Sequence, residues 1–300
     1  MQLLITGGTG FIGGSLVRSL LKDGYKITVI SRQRPEQVKN KVSPDINVVS
    51  SMAAIDQSDV FDAVINLAGE GIMDKRWSIS RKKALEDSRI ALTSELVDLL
   101  ERMSNRPKLL ISGSAIGYYG SHSATEVLNE SNSPGNDFAA SLCQRWEQAA
   151  QRASSFGVKV IIVRTGVVLH PAGGALAKML PGFRLGMGGP IADGKQMMSW
   201  IHREDMVRLL LFLLKTPGLE GIYNATAPNP VSNRDFTRSL AAALHRPALI
   251  PVPAMALRIA LGESSQLLTE GQAVYPERLT EAGFSFNYPE LQEALKDLLS

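Results

Sequence analysis

A single cysteine, Cys143, is present among the 300 residues of the sequence. One cysteine excludes an internal disulfide and any cysteine-rich metal centre. We therefore expect Cys143 to be a small hydrophobic side chain in the core, and we predict no metal site.

The sequence also lacks a long hydrophobic run. The longest strongly apolar stretch, residues 209–214, is bounded by Arg208 and Lys215 and is far too short to cross a bilayer. No basic region precedes an apolar stretch near Met1, so no secretory signal is visible. These absences favour a soluble, cytoplasmic protein.

Neither sign of charge dominates, because the sequence contains 32 Lys and Arg residues and 29 Asp and Glu residues, which gives a net charge of +3. Without a basic block, neither nucleic acid nor a membrane surface is supported as a partner. A small-molecule substrate is the expected partner, and the oligomeric state stays open. The length is enough for one large α/β domain with an appended lobe, or for two domains.

The first stretch of the chain carries the strongest motif. Residues 2–6 form a short apolar run, glycines follow at three-residue spacing, and apolar residues then recur with the helical period. This pattern predicts a strand, a tight turn and a helix, whose N-terminus can receive a pyrophosphate. In this interpretation Gly7 makes the turn, Gly10 allows close backbone approach and Gly13 allows helix–strand packing. The predicted cofactor-binding residues here are Gly7, Thr9, Gly10, Phe11, Ile12 and Gly13.

The end of the next predicted strand, residues 26–30, indicates which nicotinamide cofactor is bound. An acidic residue there would accept hydrogen bonds from the ribose 2′-hydroxyl, but this chain has Ser31 and Arg32, with Arg34 nearby. A guanidinium beside a hydroxyl suits a phosphate, so we predict NADP(H) rather than NAD. The alternative is a pair of solvated arginines on a loop.

Two later segments add candidate cofactor contacts. A third strand is expected at 47–49 and a clearer one at 63–67, which continues into Ala68, Gly69 and Glu70; small residues there let the backbone pass beneath a flat ligand. The charged stretch 74–89 is either a solvated helix or presents arginines to the cleft. The predicted contacts here are Leu67, Ala68, Gly69, Glu70 and Arg89.

Hydroxyl groups follow the predicted strand at 108–111. Ser112, Ser114, Tyr118 and Tyr119 could polarise a carbonyl or move a proton, and we take them as the candidate catalytic residues. The alternative is local turn chemistry, since serine and glycine are common in turns. A loop at 126–137, a helix at 138–154 and a strand at 158–163 come next. Ser112 and Arg164, which lie at strand ends, are added to the predicted cofactor contacts.

The second half of the chain is expected to form the substrate side. The glycine-rich stretch 182–194 predicts a mobile loop around Lys178, Arg184 and Lys195, which either closes on an anionic ligand or only connects two elements. His202 is expected to cap or hydrogen-bond a neighbouring segment, the alternative being a catalytic base, and Ser232 or Asn233 is expected to cap the helix that follows. We divide the chain into a Rossmann core (1–165), substrate-side segments interleaved with it (166–246) and a small C-terminal module (247–300).

Several longer motifs resemble a known family. They are NLAGE at 66–70, KRW at 75–77, SGSAIGYYG at 112–120, RTGVVL at 164–169, LGMGGPIADGKQ at 185–196, SWIHREDM at 199–206 and EGQAVYPERL at 270–279. Together they resemble the extended short-chain dehydrogenase/reductase superfamily, in the branch labelled nucleoside-diphosphate-sugar epimerase. The resemblance covers nearly the whole chain and implies a doubly wound parallel sheet that binds NADP, with a C-terminal lobe over the cleft.

The resemblance also exposes a departure. The superfamily's general acid/base is a tyrosine, with a lysine four residues later, on the helix predicted at 138–154. One alignment puts Ala139 and Cys143 at these positions and another puts Phe138 and Leu142 there, so the pair is missing. Two functions stay open: an NADP-dependent oxidoreductase or epimerase acting on a small anionic or nucleotide-sugar substrate, and a cofactor-binding sensor without turnover.

Overall fold

The computed structural model describes residues 1–300 and is built around a seven-stranded sheet. Strands and helices are numbered separately in chain order. The strands are β1 (Gln2–Thr6), β2 (Lys26–Ile30), β3 (Asn47–Val49), β4 (Ala63–Asn66), β5 (Leu109–Ala115), β6 (Val127–Leu128), β7 (Lys159–Thr165), β8 (Val167–His170), β9 (Met197–Met198), β10 (Trp200–His202), β11 (Gly221–Ala225), β12 (Val231–Ser232) and β13 (Ala273–Val274).

The main sheet has the order β11-β7-β5-β4-β1-β2-β3, and all its neighbouring strands are parallel. The chain builds outwards from β1 to β3, then returns to place β4 on the other side of β1. This reversal opens a crevice at the carboxyl ends of β1 and β4, where open α/β sheets bind ligands. The predicted doubly wound parallel sheet is confirmed.

Helices cover both faces of the sheet. They are α1 (Gly13–Lys22), α2 (Pro35–Lys41), α3 (Ile79–Glu86), α4 (Leu92–Arg102), α5 (Phe138–Gln151), α6 (Gly174–Arg184), α7 (Arg203–Lys215), α8 (Asn233–Ala243), α9 (Ala254–Leu261), α10 (Gln266–Thr269), α11 (Glu277–Glu281) and α12 (Leu291–Leu299). A π-helical turn at Asp87–Ala91 joins α3 to α4. None of these helices combines the length and the apolar character needed to cross a membrane.

Successive side chains along each strand alternate in direction, so the hydrophobic core is divided between the two faces of the main sheet. Leu3 and Ile5 of β1 pack with α1 and α7, whereas Leu4 packs with α4 and the end of α5. Side chains of successive strand residues point to opposite faces, so a strand that is apolar throughout must be covered on both sides. The burial of β1, in which every residue after Gln2 is buried, is consistent with this arrangement.

A third core lies outside the sheet. Leu180 of α6, Leu240 of α8 and Leu295 of α12 pack around the buried Trp200. Residues from 166–246 and from 247–300 therefore share one hydrophobic cluster. The sequence-based division at residue 247 does not interrupt this core.

Two elements differ from the sequence-based expectations. Lys178 and Arg184, expected beside or within a mobile loop, lie in the helix α6, because apolar residues at helical spacing there bury Leu176, Leu180 and Phe183. Strand β5 continues to Ala115, four residues beyond the predicted end, so Ser112 and Ser114 lie within the strand.

Candidate cofactor-binding and active site

The turn after β1 requires glycine at two of the predicted positions. Gly7 has φ +71°, and a Cβ there would lie 2.5 Å from the Leu67 carbonyl carbon. A Cβ on Gly13 would lie 2.2 Å from the Gly7 carbonyl oxygen, so α1 can approach the turn only with glycine. At Gly10 the nearest atom would be the same oxygen at 3.1 Å, a milder contact. The expected roles of Gly7 and Gly13 therefore agree with the geometry.

The N-terminus of α1 has no cap from the protein. Ile12 occupies the N-cap position, and no side chain accepts a hydrogen bond from the first turn. The backbone N–H groups of Phe11, Ile12 and Gly13 have no backbone acceptor, whereas Gly10 N–H donates to Gly7 O at 2.9 Å. Helix N-termini attract anions because such N–H groups and the helix dipole favour negative charge. The turn therefore offers three donors to an anionic ligand.

A cleft of about 530 Å³ lies at the carboxyl ends of β1, β2 and β4. Nine of the predicted cofactor residues line this cleft. They are Gly7, Thr9, Gly10, Ser31, Arg32, Leu67, Ala68, Gly69 and Glu70. The other lining residues were not predicted from the sequence. They are Thr6, Ile30, Gln33, Met52, Ala84, Asp87, Ser88 and Leu92.

Arg32 is the one cationic side chain in the cleft lining, and it has no carboxylate partner. Its side chain is exposed and lines the cleft beside Ser31, whose hydroxyl accepts a hydrogen bond from Gln33 N at 3.2 Å. Arg34 lies outside the cleft lining, at the N-cap position of α2. The end of β2 therefore presents one free guanidinium next to a hydroxyl, a combination that suits a phosphate group.

Two arginines of the charged stretch hold the loop after β4. Arg89 Nη2 donates to Glu70 O at 2.8 Å, and its other amino group donates to Leu85 O and Ser88 Oγ. Arg81 pairs with the Glu70 carboxylate and donates to Gly71 O. Burial lowers the pKa of Arg89 from its ordinary value. Arg89, predicted to bind the cofactor, is engaged in this loop and does not line the cleft.

Asn66 connects three strand ends beneath the cleft. Its Nδ2 donates to Thr93 Oγ1 at 2.8 Å and to Ser112 Oγ at 3.2 Å, and its Oδ1 accepts from Thr6 Oγ1 at 2.6 Å. Buried amides remain favourable only when their donors and acceptors are satisfied, as they are here. The Ser112 hydroxyl donates weakly to Gly113 O at 3.5 Å, and the residue is fully buried. The geometry therefore does not support the prediction that Ser112 contacts the cofactor or a substrate.

Glu147 and Arg164 form a buried ion pair behind β5. Arg164 Nε and Nη2 each donate to the Glu147 carboxylate at 2.9 Å, and Ser114 Oγ donates to the same carboxylate at 2.6 Å. Burial opposes the charge of Arg164, yet the bonds to Glu147 raise its pKa. The prediction that Arg164 contacts the cofactor is not supported by this geometry, because the side chain is 1% exposed and its donors are already engaged.

The two candidate tyrosines have different surroundings. The Tyr119 hydroxyl is buried, donates to Asn224 Oδ1 at 2.7 Å and accepts from Arg164 Nη1 at 3.0 Å. Burial raises the pKa of Tyr119. Tyr118 is half-buried and has no hydroxyl partner within the protein, and its ring centroid lies 3.3 Å from Arg164 Cζ. Only Tyr118 therefore keeps a hydroxyl for an external group.

In one of the two alignments, small side chains occupy the positions of the missing tyrosine–lysine pair. Ala139 and Cys143 are buried on α5, and an added Cβ on Gly117 would lie 3.4 Å from Ala139 Cβ and 3.9 Å from Cys143 Sγ. Burial, with the nearby Glu147 carboxylate, raises the pKa of the Cys143 thiol to about 12. Cys143 is therefore a neutral thiol in the core, and it supplies no cation beside β5.

Comparison with known proteins identifies two matching family models. One, described as the NAD dependent epimerase/dehydratase family, matches residues 3–225. The other, described as a domain of unknown function (DUF1731), matches residues 252–298. The first model covers the sheet and the cleft, and the second covers most of the C-terminal module.

Three similar proteins span the full length of the chain. The epimerase family protein SDR39U1 homolog of Arabidopsis thaliana, described as chloroplastic, is 40% identical over 100% of this chain and 87% of its own length. The human epimerase family protein SDR39U1, solved with NADPH, is 34% identical with a TM-score of 0.92, covering 100% of this chain and 99% of the human one. A nucleoside-diphosphate sugar epimerase from Corynebacterium glutamicum is 29% identical with a TM-score of 0.79, and 58% of that chain is covered.

Proposed function

The chain belongs to the NAD dependent epimerase/dehydratase family, and from this premise we propose that it binds NADP(H) for hydride transfer with a small anionic or nucleotide-sugar substrate. The observation that carries the proposal is the uncapped N-terminus of α1 at a cleft that also contains the unpaired Arg32. The similar human protein was solved with NADPH, which supports the choice of cofactor.

The residues of the cleft fit the parts of this cofactor. The free N–H groups of Phe11, Ile12 and Gly13 would hold the pyrophosphate. Arg32 and Ser31 would bind the 2′-phosphate, and the loop at 67–69, held by Arg89, would pass beneath the ligand. When bound, the reduced nicotinamide supplies a hydride, whereas the protein supplies position and proton transfer.

Proton transfer is assigned to the carboxyl end of β5. Tyr118 is the proposed acid/base, because its hydroxyl is free and the guanidinium of Arg164 lies over its ring. Ser112 and Ser114 are buried and bonded to Asn66 and Glu147, so they would hold these side chains in place and would not touch the substrate. Tyr119 is left out of the chemistry, since both of its hydrogen bonds are to protein groups.

A second candidate function is an NADP(H) sensor without turnover. It is favoured by one observation: α5, FAASLCQRWEQAAQ, contains neither a tyrosine nor a lysine, so neither alignment, Ala139 with Cys143 or Phe138 with Leu142, supplies the family's pair. A cation beside a phenol stabilises the phenolate, and this helix provides neither group. Under this alternative the bound cofactor would act through its effect on the conformation of the protein.

Cofactor titration followed by a substrate panel separates the two functions. Calorimetry should show NADPH binding more tightly than NADH, and NADPH absorbance should fall with one or more of a set of nucleotide sugars and carbonyl compounds. Tyr118→Phe should then lower kcat by about 10²–10⁴-fold with an unchanged NADPH Kd. Tight binding with neither oxidation of NADPH nor conversion of any compound into an epimer would favour the sensor, because epimerisation consumes no cofactor. No binding of either cofactor would refute both functions.

A further inference from the structure

A π-helical turn holds the loop after β4 through the backbone of one residue. The turn spans Asp87–Ala91 and joins α3 to α4. Ser88 Oγ accepts a hydrogen bond from Glu70 N at 3.2 Å, and Arg89 Nη2 donates to Glu70 O at 2.8 Å. Both polar groups of the Glu70 backbone are therefore bonded to adjacent residues of the turn. Turns of this kind are rare, and they occur often at functional sites.

The guanidinium of Arg89 also lies against a rigid aromatic ring. Arg89 Cζ is 5.3 Å from the centroid of the Trp146 ring. Trp146 is 6% exposed, and its Nε1 donates to Thr93 Oγ1 at 3.0 Å. A Cβ on Gly113 of β5 would lie 3.3 Å from the same ring, so the ring has little room to move. Arg89 therefore rests on a fixed part of the protein, formed by α5 and β5.

The space beside Gly69, where a side chain would be, is occupied by Arg89. A Cβ on Gly69 would lie 3.2 Å from Arg89 Cζ, 3.3 Å from Nη2 and 3.4 Å from Nε, and these are its three nearest neighbours. Such distances are shorter than an optimal contact between carbon atoms. The sequence analysis attributed the small residues here to close passage beneath a flat ligand. In the structure, a side chain at residue 69 would project towards Arg89, which does not line the cleft.

Arginine suits this position because its donors are spread over a planar fork. Arg89 donates to Glu70 O from one amino group and to Ser88 Oγ, at 3.3 Å, from the other. A lysine ammonium is a compact point charge and cannot reproduce this arrangement. Arg81 does not duplicate the contact, since it pairs with the Glu70 carboxylate and donates to Gly71 O. Arg89 is therefore the arginine that sets the position of the loop at residue 69.

We propose that Arg89 is a positioning residue for the cofactor, because it fixes the backbone of Gly69 and Glu70 beneath the bound ligand. Both of these residues line the cleft, whereas Arg89 does not, so Arg89 acts through them. The inference rests on the proposed function, since it requires NADP(H) in this cleft. Strands β4 and β2 lie on opposite sides of β1, so the loop is separate from Arg32, to which the 2′-phosphate is assigned. Arg89 should therefore affect NADPH and NADH equally.

Calorimetry of the full chain with NADPH and with NADH tests the proposal. Arg89→Ala should weaken the binding of both cofactors by about tenfold, the value of a hydrogen bond from a charged group, and should leave the ratio of the two affinities unchanged. Arg89→Lys should recover little of this loss, because the fork is missing. Arg145→Ala is the matched control: its guanidinium is half-exposed and joins α5 to Glu86 of α3, so this variant should bind like the wild type.

A second variant separates the contact with Arg89 from a general loss of structure. Gly69 is exposed, so Gly69→Ala should remain folded, and its methyl group should weaken the binding of both cofactors by about tenfold because it displaces the loop. In the Arg89→Ala background the guanidinium is gone, so the same methyl group should cost less than about twofold. If Arg89 had only a general structural role, the two losses would add.

The outcomes that contradict the proposal can be told apart. Wild-type affinity in Arg89→Ala would overturn the role of Arg89 and leave the proposed function intact. Additive losses for Arg89→Ala and Gly69→Ala would overturn it as well, because they would indicate that the methyl group meets the ligand. A loss confined to NADPH would place Arg89 at the 2′-phosphate instead. Absence of cofactor binding in the wild type would refute the proposed function together with this inference.

Discussion

At two neighbouring parts of the same sheet edge, the polar groups differ in whether they have hydrogen-bond partners within the protein. At the ends of β1, β2 and β4, the N–H groups of the first turn and the Arg32 guanidinium have no protein partner. At the ends of β5 and β7, Ser114, Glu147, Arg164 and Tyr119 are bonded to one another. Unpaired groups cost stability unless a ligand satisfies them, whereas paired groups rigidify the fold.

The difference indicates which part of the site depends on a ligand. The first part, here called the cofactor half, is incomplete without an anion. The second, the proton-transfer half, is largely complete by itself, and only the half-buried Tyr118 keeps a hydroxyl group for an external partner. Cofactor binding and protein stability should therefore respond to different substitutions, which gives four ways to test the comparison.

The largest effect is expected in the proton-transfer half. Glu147→Ala removes the partner of a buried guanidinium and should lower the free energy of unfolding by about 3–5 kcal/mol, as measured by urea denaturation. Asp98→Ala is the control, because its pair with Arg152 is half-exposed and should be worth less than about 1 kcal/mol. If Glu147→Ala remained folded but lost its affinity for NADPH, stability and cofactor binding would not depend on separate halves of the site.

The next effect is expected in the cofactor half. Gly13→Ala adds a Cβ 2.2 Å from Gly7 O and displaces the turn, so NADPH binding should weaken by up to about 100-fold, the equivalent of an overpacking cost of 1–3 kcal/mol. Gly14→Ala is the matched control, since its Cβ would make only ordinary contacts of 3.7 Å, with the Arg18 guanidinium and Gly8 O. Calorimetry should show near wild-type affinity for the control. Equal affinities for the two variants would contradict the role given to the turn.

A smaller effect is expected at the 2′-phosphate. Arg32→Ala should weaken NADPH binding by about tenfold or somewhat more, the value of a charge-assisted hydrogen bond, and should leave NADH binding unchanged. Arg32→Asp should shift the preference towards NADH. Arg34→Ala, outside the cleft lining, is the control. An unchanged ratio of NADPH to NADH affinity in Arg32→Ala would remove this residue from the site.

The smallest effect concerns Cys143 and alkaline pH. Its pKa is raised to about 12 in the fold from an ordinary value of 9.0, so between these values the unfolded chain releases a proton that the folded chain retains. The free energy of unfolding should therefore fall as the pH rises above 9, by about 1 kcal/mol per pH unit for this one group. Cys143→Ala should show a correspondingly shallower fall in denaturation experiments. Identical slopes would indicate that the thiol is not shielded.

Local pattern was enough to predict the sheet and most of the cofactor half. The run at 2–6, the glycine spacing and the residues after β2 and β4 lie next to one another in the chain, so their structure follows from short-range rules. The third strand at 47–49 was predicted in the same way. Of the alternatives left open, the structure has His202 as the N-cap of α7 and Ser232, not Asn233, as the N-cap of α8. The cleft residues Ser88 and Met52 were missed because no local signal distinguishes them.

The sequence by itself predicted a parallel sheet with an anion site at its first turn, and it showed that the usual tyrosine and lysine are absent from α5. Only the tertiary structure decided which charges are free. The sequence alone gives no reason to distinguish Arg32, Arg89 and Arg164. In the structure, Arg89 is hydrogen-bonded to the loop after β4, and Arg164 is hydrogen-bonded to Glu147, which lies 17 residues away on another element. Pairing depends on distances between segments, which no local pattern contains, and it leaves Arg32 as the cation available to a ligand.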